Sequence, residues 1–161
     1  LVGYPSEEEE FVIVSRSIAA QQAVARVTDA GRLLALQARC RQLYVDPSLI
    51  QFAVRVVAAT RTPDVAGLKD LSRLILYGAS PRATIGMIAA GRALALLRGR
   101  DYVLPEDVID VTADVLRHRI VLSYEALSDS VSPDEIVSAI LKAVPAPDKP
   151  LEAHVRFAAS G

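Results

Sequence analysis

The residues best suited to chemistry lie in one run, Tyr77-Gly78-Ala79-Ser80-Pro81-Arg82-Ala83. Gly78 permits a turn closed to residues with a Cβ, Ser80 suits the N-cap of a helix, and Pro81 suits its first position, where a missing N–H costs nothing. A helix is predicted from about Pro81. Arg82 then falls in the first turn, where the positive end of the macrodipole opposes a cation by roughly 0.3–1 kcal/mol. Other helix starts in the chain carry acids: Glu7 to Glu10 after Ser6, Glu106 and Asp107 after Pro105, Asp134 and Glu135 after Ser132-Pro133. Arg82 departs from that habit, and a locally disfavoured charge at a well-formed helix start is where function overrides propensity. Helix N-termini bind anions through free N–H groups, and a guanidinium adds charge-assisted hydrogen bonds, so the chemistry indicated is phosphate recognition. The competing explanation is an ion pair with an acid of a neighbouring helix, Asp70 or Asp101, worth little at a surface. These residues alone leave both open.

Other chemistries have less behind them. Phosphate hydrolysis needs a Gly-rich loop with Lys and an acidic pair after a strand. No Gly here is followed by Lys, the Asp134-Glu135 pair follows Ser-Val-Ser-Pro, and the chain has no Asn. The two His residues lie far apart, which disfavours nucleophilic catalysis, and His118 has no second His or Cys at ligand spacing, so a metal site is not expected. Arg117-His118-Arg119 reads as surface charge near a helix end, or else as a face toward a neighbouring subunit or domain. Cys40 has no second cysteine to pair with and is expected as a small core residue among Leu33, Leu34 and Leu36.

The elements that must position Arg82 follow from composition and period. The chain has 161 residues, 52% hydrophobic and only 5% aromatic, so its core must be built from Ala, Leu, Ile and Val in closely packed helices. Apolar residues recur at spacings of three and four far more often than they alternate. The 18 basic and 19 acidic residues leave a net charge of −1 and no global field for nucleic acid or an anionic membrane. No apolar run reaches a membrane span, and the acidic start is unlike a signal peptide, so a cytoplasmic protein is expected.

In order, helices are expected from about Glu7 to Ile18, after Thr28 or Asp29, and after Asp46-Pro47 with Leu49, Ile50, Ala53, Val54, Val57 and Ala58 inward. Leu68, Leu71, Leu74, Ile75 and Leu76 form a short helical or irregular approach to Gly78. The Pro81 helix, running to about Arg98, is apolar nearly all round and therefore central, with Gly86 and Gly91 marking close neighbours. Arg98-Gly99-Arg100-Asp101 ends it, the cations complementing the dipole. Leu104-Pro105 opens a helix with Val108, Ile109, Val111, Val115 and Leu116 inward. Ser132-Pro133 opens the last, with Ile136, Ile140 and Leu141 inward, before a proline-rich tail.

Gly-Ala-Ser-Pro-Arg-Ala at 78–83, an Ala/Leu-rich helix, and then Arg98-Gly99-Arg100-Asp101-Tyr102-Val103-Leu104-Pro105-Glu106-Asp107-Val108 together resemble the C-terminal lid of the MoxR family of AAA+ ATPases. The resemblance covers about Leu1 to Pro147. It implies an all-α, compact helical bundle of the AAA+ lid type with a short N-terminal remnant of the nucleotide-binding core. Residues 1–18 would be the end of a core strand and a connecting helix, 19–147 the lid domain, and 148–161 an extended tail. It gives Arg82 the sensor-2 role, reaching to the terminal phosphate of ATP, with Gly78, Ser80 and Pro81 building the helix start. ATP and Mg²⁺ would belong to the intact enzyme, with none held by this chain alone and no hydrolysis expected from it. The implied partners are the AAA+ core, further copies in a ring that is usually hexameric, and von Willebrand factor A domain proteins, in chaperone-like remodelling. Nucleic acid and membrane insertion are not expected. Two alternatives stand beside it: a stand-alone helical interaction domain without nucleotide, and a helix-turn-helix DNA reader using Arg92, Arg98, Arg100, Arg117 and Arg119.

Overall fold

Caps set most of the helix starts. The computed structural model describes residues 3–19 and 24–147. Its helices are α1 (Glu7–Ile18), α2 (Ala30–Gln42), α3 (Pro47–Arg61), α4 (Lys69–Ser72), α5 (Pro81–Leu97), α6 (Pro105–Leu116), α7 (Tyr124–Ser128) and α8 (Pro133–Ala143), with a 3-10 turn at Pro63–Ala66. Ser6 and Ser132 each form a reciprocal capping box, with Glu9 and Glu135 respectively. Asp46 accepts from the Ser48 N–H at 2.8 Å, and Asp29 from the Arg32 N–H at 2.8 Å. No described helix is long and apolar enough to cross a membrane.

The chain divides into two compact units between Ala35 and Leu36. In the first, α1 buries no residue, and Phe11, Ile13, Val14 and Ile18 are exposed. No residue of α2 is buried either. Leu33, Leu34 and Leu36 are exposed and Cys40 is half-buried, so the expected leucine-lined core site for Cys40 does not form.

In the second unit α5 packs against α6 and α3, and α8 packs against α3 and α6. Phe52, Leu49, Met87, Leu116, Ile136 and Ile140 are the largest side chains in its core. The buried face of α3 is rotated from the expected one: Phe52 and Val56 are inside, whereas Ile50 and Val54 are exposed. The inward face of α6 likewise includes Asp107 and Thr112 beside Val108 and Leu116. Helix α5 is not apolar-buried all round. Ala83, Met87, Gly91 and Ala95 form one buried stripe at every fourth residue, and Ile85 and Leu97 on other faces are 69% and 84% exposed. Small residues on that stripe let α6 approach; a Cβ on Gly91 would lie 3.3 Å from Val108 Cγ2 and 3.7 Å from Val108 Cα.

One two-stranded antiparallel ribbon accompanies the helices. β1 (Ile75–Tyr77) pairs with β2 (Val121–Leu122), in register Ile75 to Leu122 and Tyr77 to Val121 across an irregularity. The approach to Gly78 is thus helical only at α4, around Leu71; Ile75 and Leu76, expected as helical or irregular, lie in a strand. Ser123 reinforces the join, its N–H donating to Leu74 O at 2.9 Å and its hydroxyl to Arg73 O at 2.6 Å. The expected tail at 148–161 lies outside the described residues.

Candidate functional site

The start of α5 is held from two sides. Strand β1 delivers the chain to Gly78, and the last turn of α3 receives it. Gly78 does not have the positive φ expected of it; among the described glycines that conformation belongs to Gly67 and Gly99. Gly78 is needed for contact instead. A Cβ there would overlap the Thr60 carbonyl and lie 2.7 Å from the Arg61 nitrogen. The next residue, Ala79, is fully buried, and both its backbone groups are bound by α3. Its N–H donates to Thr60 Oγ1 at 2.8 Å, and its carbonyl accepts from Arg61 Nη1 at 2.8 Å.

Ser80 occupies the N-cap position with extended backbone (φ −77°, ψ 167°), and Pro81 is the first helical residue. The Ser80 side chain, however, makes no capping hydrogen bond. Ser6, Ser123 and Ser132, by contrast, each accept from a first-turn N–H. Arg82 is exposed and, among the described residues, makes no hydrogen bond or ion pair, with Asp70, Asp101 or any other acid. The first turn of α5 thus presents an unused hydroxyl and a free guanidinium at the positive end of a helix of 17 residues. The dipole and the cation there have the same sign, and among the described residues no carboxylate pairs with Arg82, so the arrangement is complementary to an anion.

The second sequence motif is a brace. After Arg98, Gly99 takes the left-handed conformation (φ 75°), and Arg100 N–H closes the helix end on Ala95 O at 3.0 Å. Arg98 and Arg100 do more than complement the dipole. Both converge on Asp107, whose side chain is fully buried, while Arg98 also reaches Asp110 at 2.6 Å. The Leu104 N–H donates to the same carboxylate at 2.8 Å. Burial pushes the Asp107 carboxyl up, but the hydrogen bonds from Arg100, Leu104 N–H and Arg98 outweigh it and hold it below the usual carboxylate range.

Arg117 is tied to Asp134 at the start of α8 and to Asp114 on its own helix, so it is structural rather than a free surface cation. Of the five arginines a DNA reader would need, Arg98, Arg100 and Arg117 are therefore already engaged. Among the described residues no group of three or more His, Cys, Asp or Glu side chains could hold a metal ion.

Nothing local in the sequence marks Thr60 and Arg61 for this contact; they end a helix far from Ser80-Pro81. Asp107 carried a signal, two arginines a short distance before it, that an acid in a first helical turn conceals.

A match to the AAA lid domain covers residues 69–140. The chain is similar to chaperone MoxR1 of Mycobacterium tuberculosis, with 47% identity over 91% of this chain and 39% of that protein. It is also similar to the uncharacterized protein YeaC of Bacillus subtilis, 30% identical over 91% of this chain and 43% of that one. Protein MoxR of Paracoccus denitrificans is 38% identical over 65% of this chain and 32% of its own. A crystal structure of a protein assigned as an ATPase, from Cytophaga hutchinsonii, superposes with a TM-score of 0.81 at 33% identity, covering 91% of this chain and 45% of that one. The chain thus spans less than half the length of each of these relatives.

Proposed function

Because the chain belongs to the MoxR family of AAA+ ATPases and corresponds to its lid portion, we propose that Arg82 is the lid's sensor-2 residue, contacting the terminal phosphate of ATP bound by the nucleotide-binding core of the intact enzyme. The observation that carries this reading is the exposed guanidinium in the first turn of α5, unpartnered among the described residues, beside an N-cap hydroxyl that makes no capping hydrogen bond. A charge-assisted hydrogen bond to an anionic phosphate is stronger than a neutral one, and it exists only while the terminal phosphate is present. Its loss on hydrolysis changes the preferred angle of the lid, and stiff helices pass that change to whatever the lid touches.

In this reading ATP and Mg²⁺ are held mainly by the core, the intact protein assembles as a ring, usually hexameric in this family, and the work done is chaperone-like remodelling, with von Willebrand factor A domain proteins as partners. The naming of the similar mycobacterial protein as a chaperone is consistent with that work. The test is Arg82→Ala in the intact ATPase. Hydrolysis at saturating ATP drops sharply while the lid stays folded; unchanged turnover would exclude the role.

A further inference from the structure

We infer that Thr60 and Arg61, at the end of α3, are positioning residues for Arg82: they clamp the backbone of Ala79 and so fix where α5 presents its guanidinium. The inference rests on the phosphate-contacting role of Arg82. Thr60 is 1% exposed, and its hydroxyl is used in both senses, donating to Val57 O at 2.6 Å and accepting from Ala79 N–H at 2.8 Å. With both directions occupied the hydroxyl cannot rotate to other partners. Arg61 Nη1 holds the carbonyl of the same residue at 2.8 Å, and Gly78 lies directly against the Thr60–Arg61 peptide.

Two consecutive residues of α3 therefore grip the dipeptide that leads into α5. Volume alone does not explain the choice. Valine has nearly the shape of threonine and would fill this buried space without the cost of desolvating a hydroxyl. What threonine adds is the bond to Ala79. A residue that must meet a phosphate has to be held to within a fraction of an ångström by its supporting contacts. Among the described residues no hydrogen bond or ion pair holds the Arg82 side chain, so its placement depends on the backbone that precedes it.

A double-mutant cycle in the intact ATPase tests this, reading turnover at saturating ATP, ATP dissociation constant and thermal midpoint. Thr60→Val is expected to lower turnover about tenfold or more, and Thr60→Ser to restore it to within about twofold, since the hydroxyl returns. In the Arg82→Ala background Thr60→Val should change neither turnover nor ATP affinity further, although its thermal midpoint falls as it does in the parent. Should Arg82→Ala leave no turnover to measure, the comparison is made on ATP affinity. Arg61→Ala, at an exposed position, gives the same cycle if Thr60→Val does not fold. Equal losses in both backgrounds, or no loss from Thr60→Val in the parent, would overturn the inference. Normal turnover of Arg82→Ala would instead remove the phosphate role it rests on.

Discussion

Arg100 grips Asp107 with both nitrogens of its fork, Nη1 to Oδ2 at 2.7 Å and Nη2 to Oδ1 at 2.6 Å, across the turn between α5 and α6. Arg98 adds a third bond to the same carboxylate at 2.8 Å, and the Leu104 N–H a fourth at 2.8 Å. The motif that follows α5 is therefore a fixed corner between two helices. It keeps α6 against the Gly91 side of α5, at the opposite end of that helix from the exposed Arg82.

Removing the carboxylate takes both hydrogen bonds from the Arg100 fork and the partner of the Leu104 N–H, and leaves Arg98 only Asp110, at a site where the Asp107 side chain is fully buried. Asp107→Ala is expected to cost about 3–5 kcal/mol, the range for breaking a buried pair from one side. Urea unfolding of the 161-residue chain measures it. A cost within experimental error of zero would mean that the corner is not held by these bonds.

The same carboxylate sets a pH dependence. Its pKa is lower folded than unfolded, so its stabilisation is complete above the ordinary carboxylate range, roughly pH 4. It is lost as pH falls through the folded value, because the unfolded chain then binds the proton first. Asp46 and Glu135 are shifted in the same direction, by the Ser48 hydrogen bonds and by the Ser132 backbone N–H respectively. The urea midpoint is expected to hold from neutral pH down to about 5 and then fall. Asp107→Asn should fall less steeply. An identical slope for the two proteins would place the acid sensitivity elsewhere.

Two serines in the same formal position make a paired test. Ser132 accepts from Glu135 N–H at 3.3 Å, whereas Ser80 caps nothing. Ser132→Ala should cost about 1 kcal/mol, and Ser80→Ala close to nothing. Thermal unfolding of both variants decides it. Equal losses would show that Ser80 caps α5 in solution and is not free for an anion.

What the sequence made legible was local. Ser-Pro-Asp-Glu before α8 and Ser-Glu-Glu-Glu before α1 announce their helices because cap and partner lie within one turn. Pro81 is legible for a different local reason: a proline's fixed φ suits the first helical position, which puts Arg82 in the first turn. Contacts across the chain were not. Ile75 and Leu76 read as part of a helical or irregular approach until Val121 and Leu122 are brought beside β1. Thr60 meets Ala79 only once α3 and α5 are packed, and Gly78 is constrained by that same contact rather than by its own φ. The rotation of α3 that buries Phe52 and Val56 in place of Ile50 and Val54 has a related cause: both stripes satisfy a helical period, and only the neighbours choose between them.

Arg82 is expected to trade stability for function. As an exposed cation in the first turn of α5 with no carboxylate partner among the described residues, it opposes the macrodipole without compensation there. Arg82→Glu replaces it with the charge that α1 and α8 place there, in Glu7 to Glu10 and in Asp134 and Glu135. The substitution should raise the stability of the 161-residue chain by roughly 1 kcal/mol. In the intact ATPase it should abolish hydrolysis more completely than Arg82→Ala, since a carboxylate repels the phosphate that the guanidinium attracts. Urea midpoints of the chain and turnover of the intact enzyme measure the two effects separately. A less stable Arg82→Glu lid would mean that Arg82 has a structural partner after all, and the case for its being held in reserve for a nucleotide would lose its physical basis.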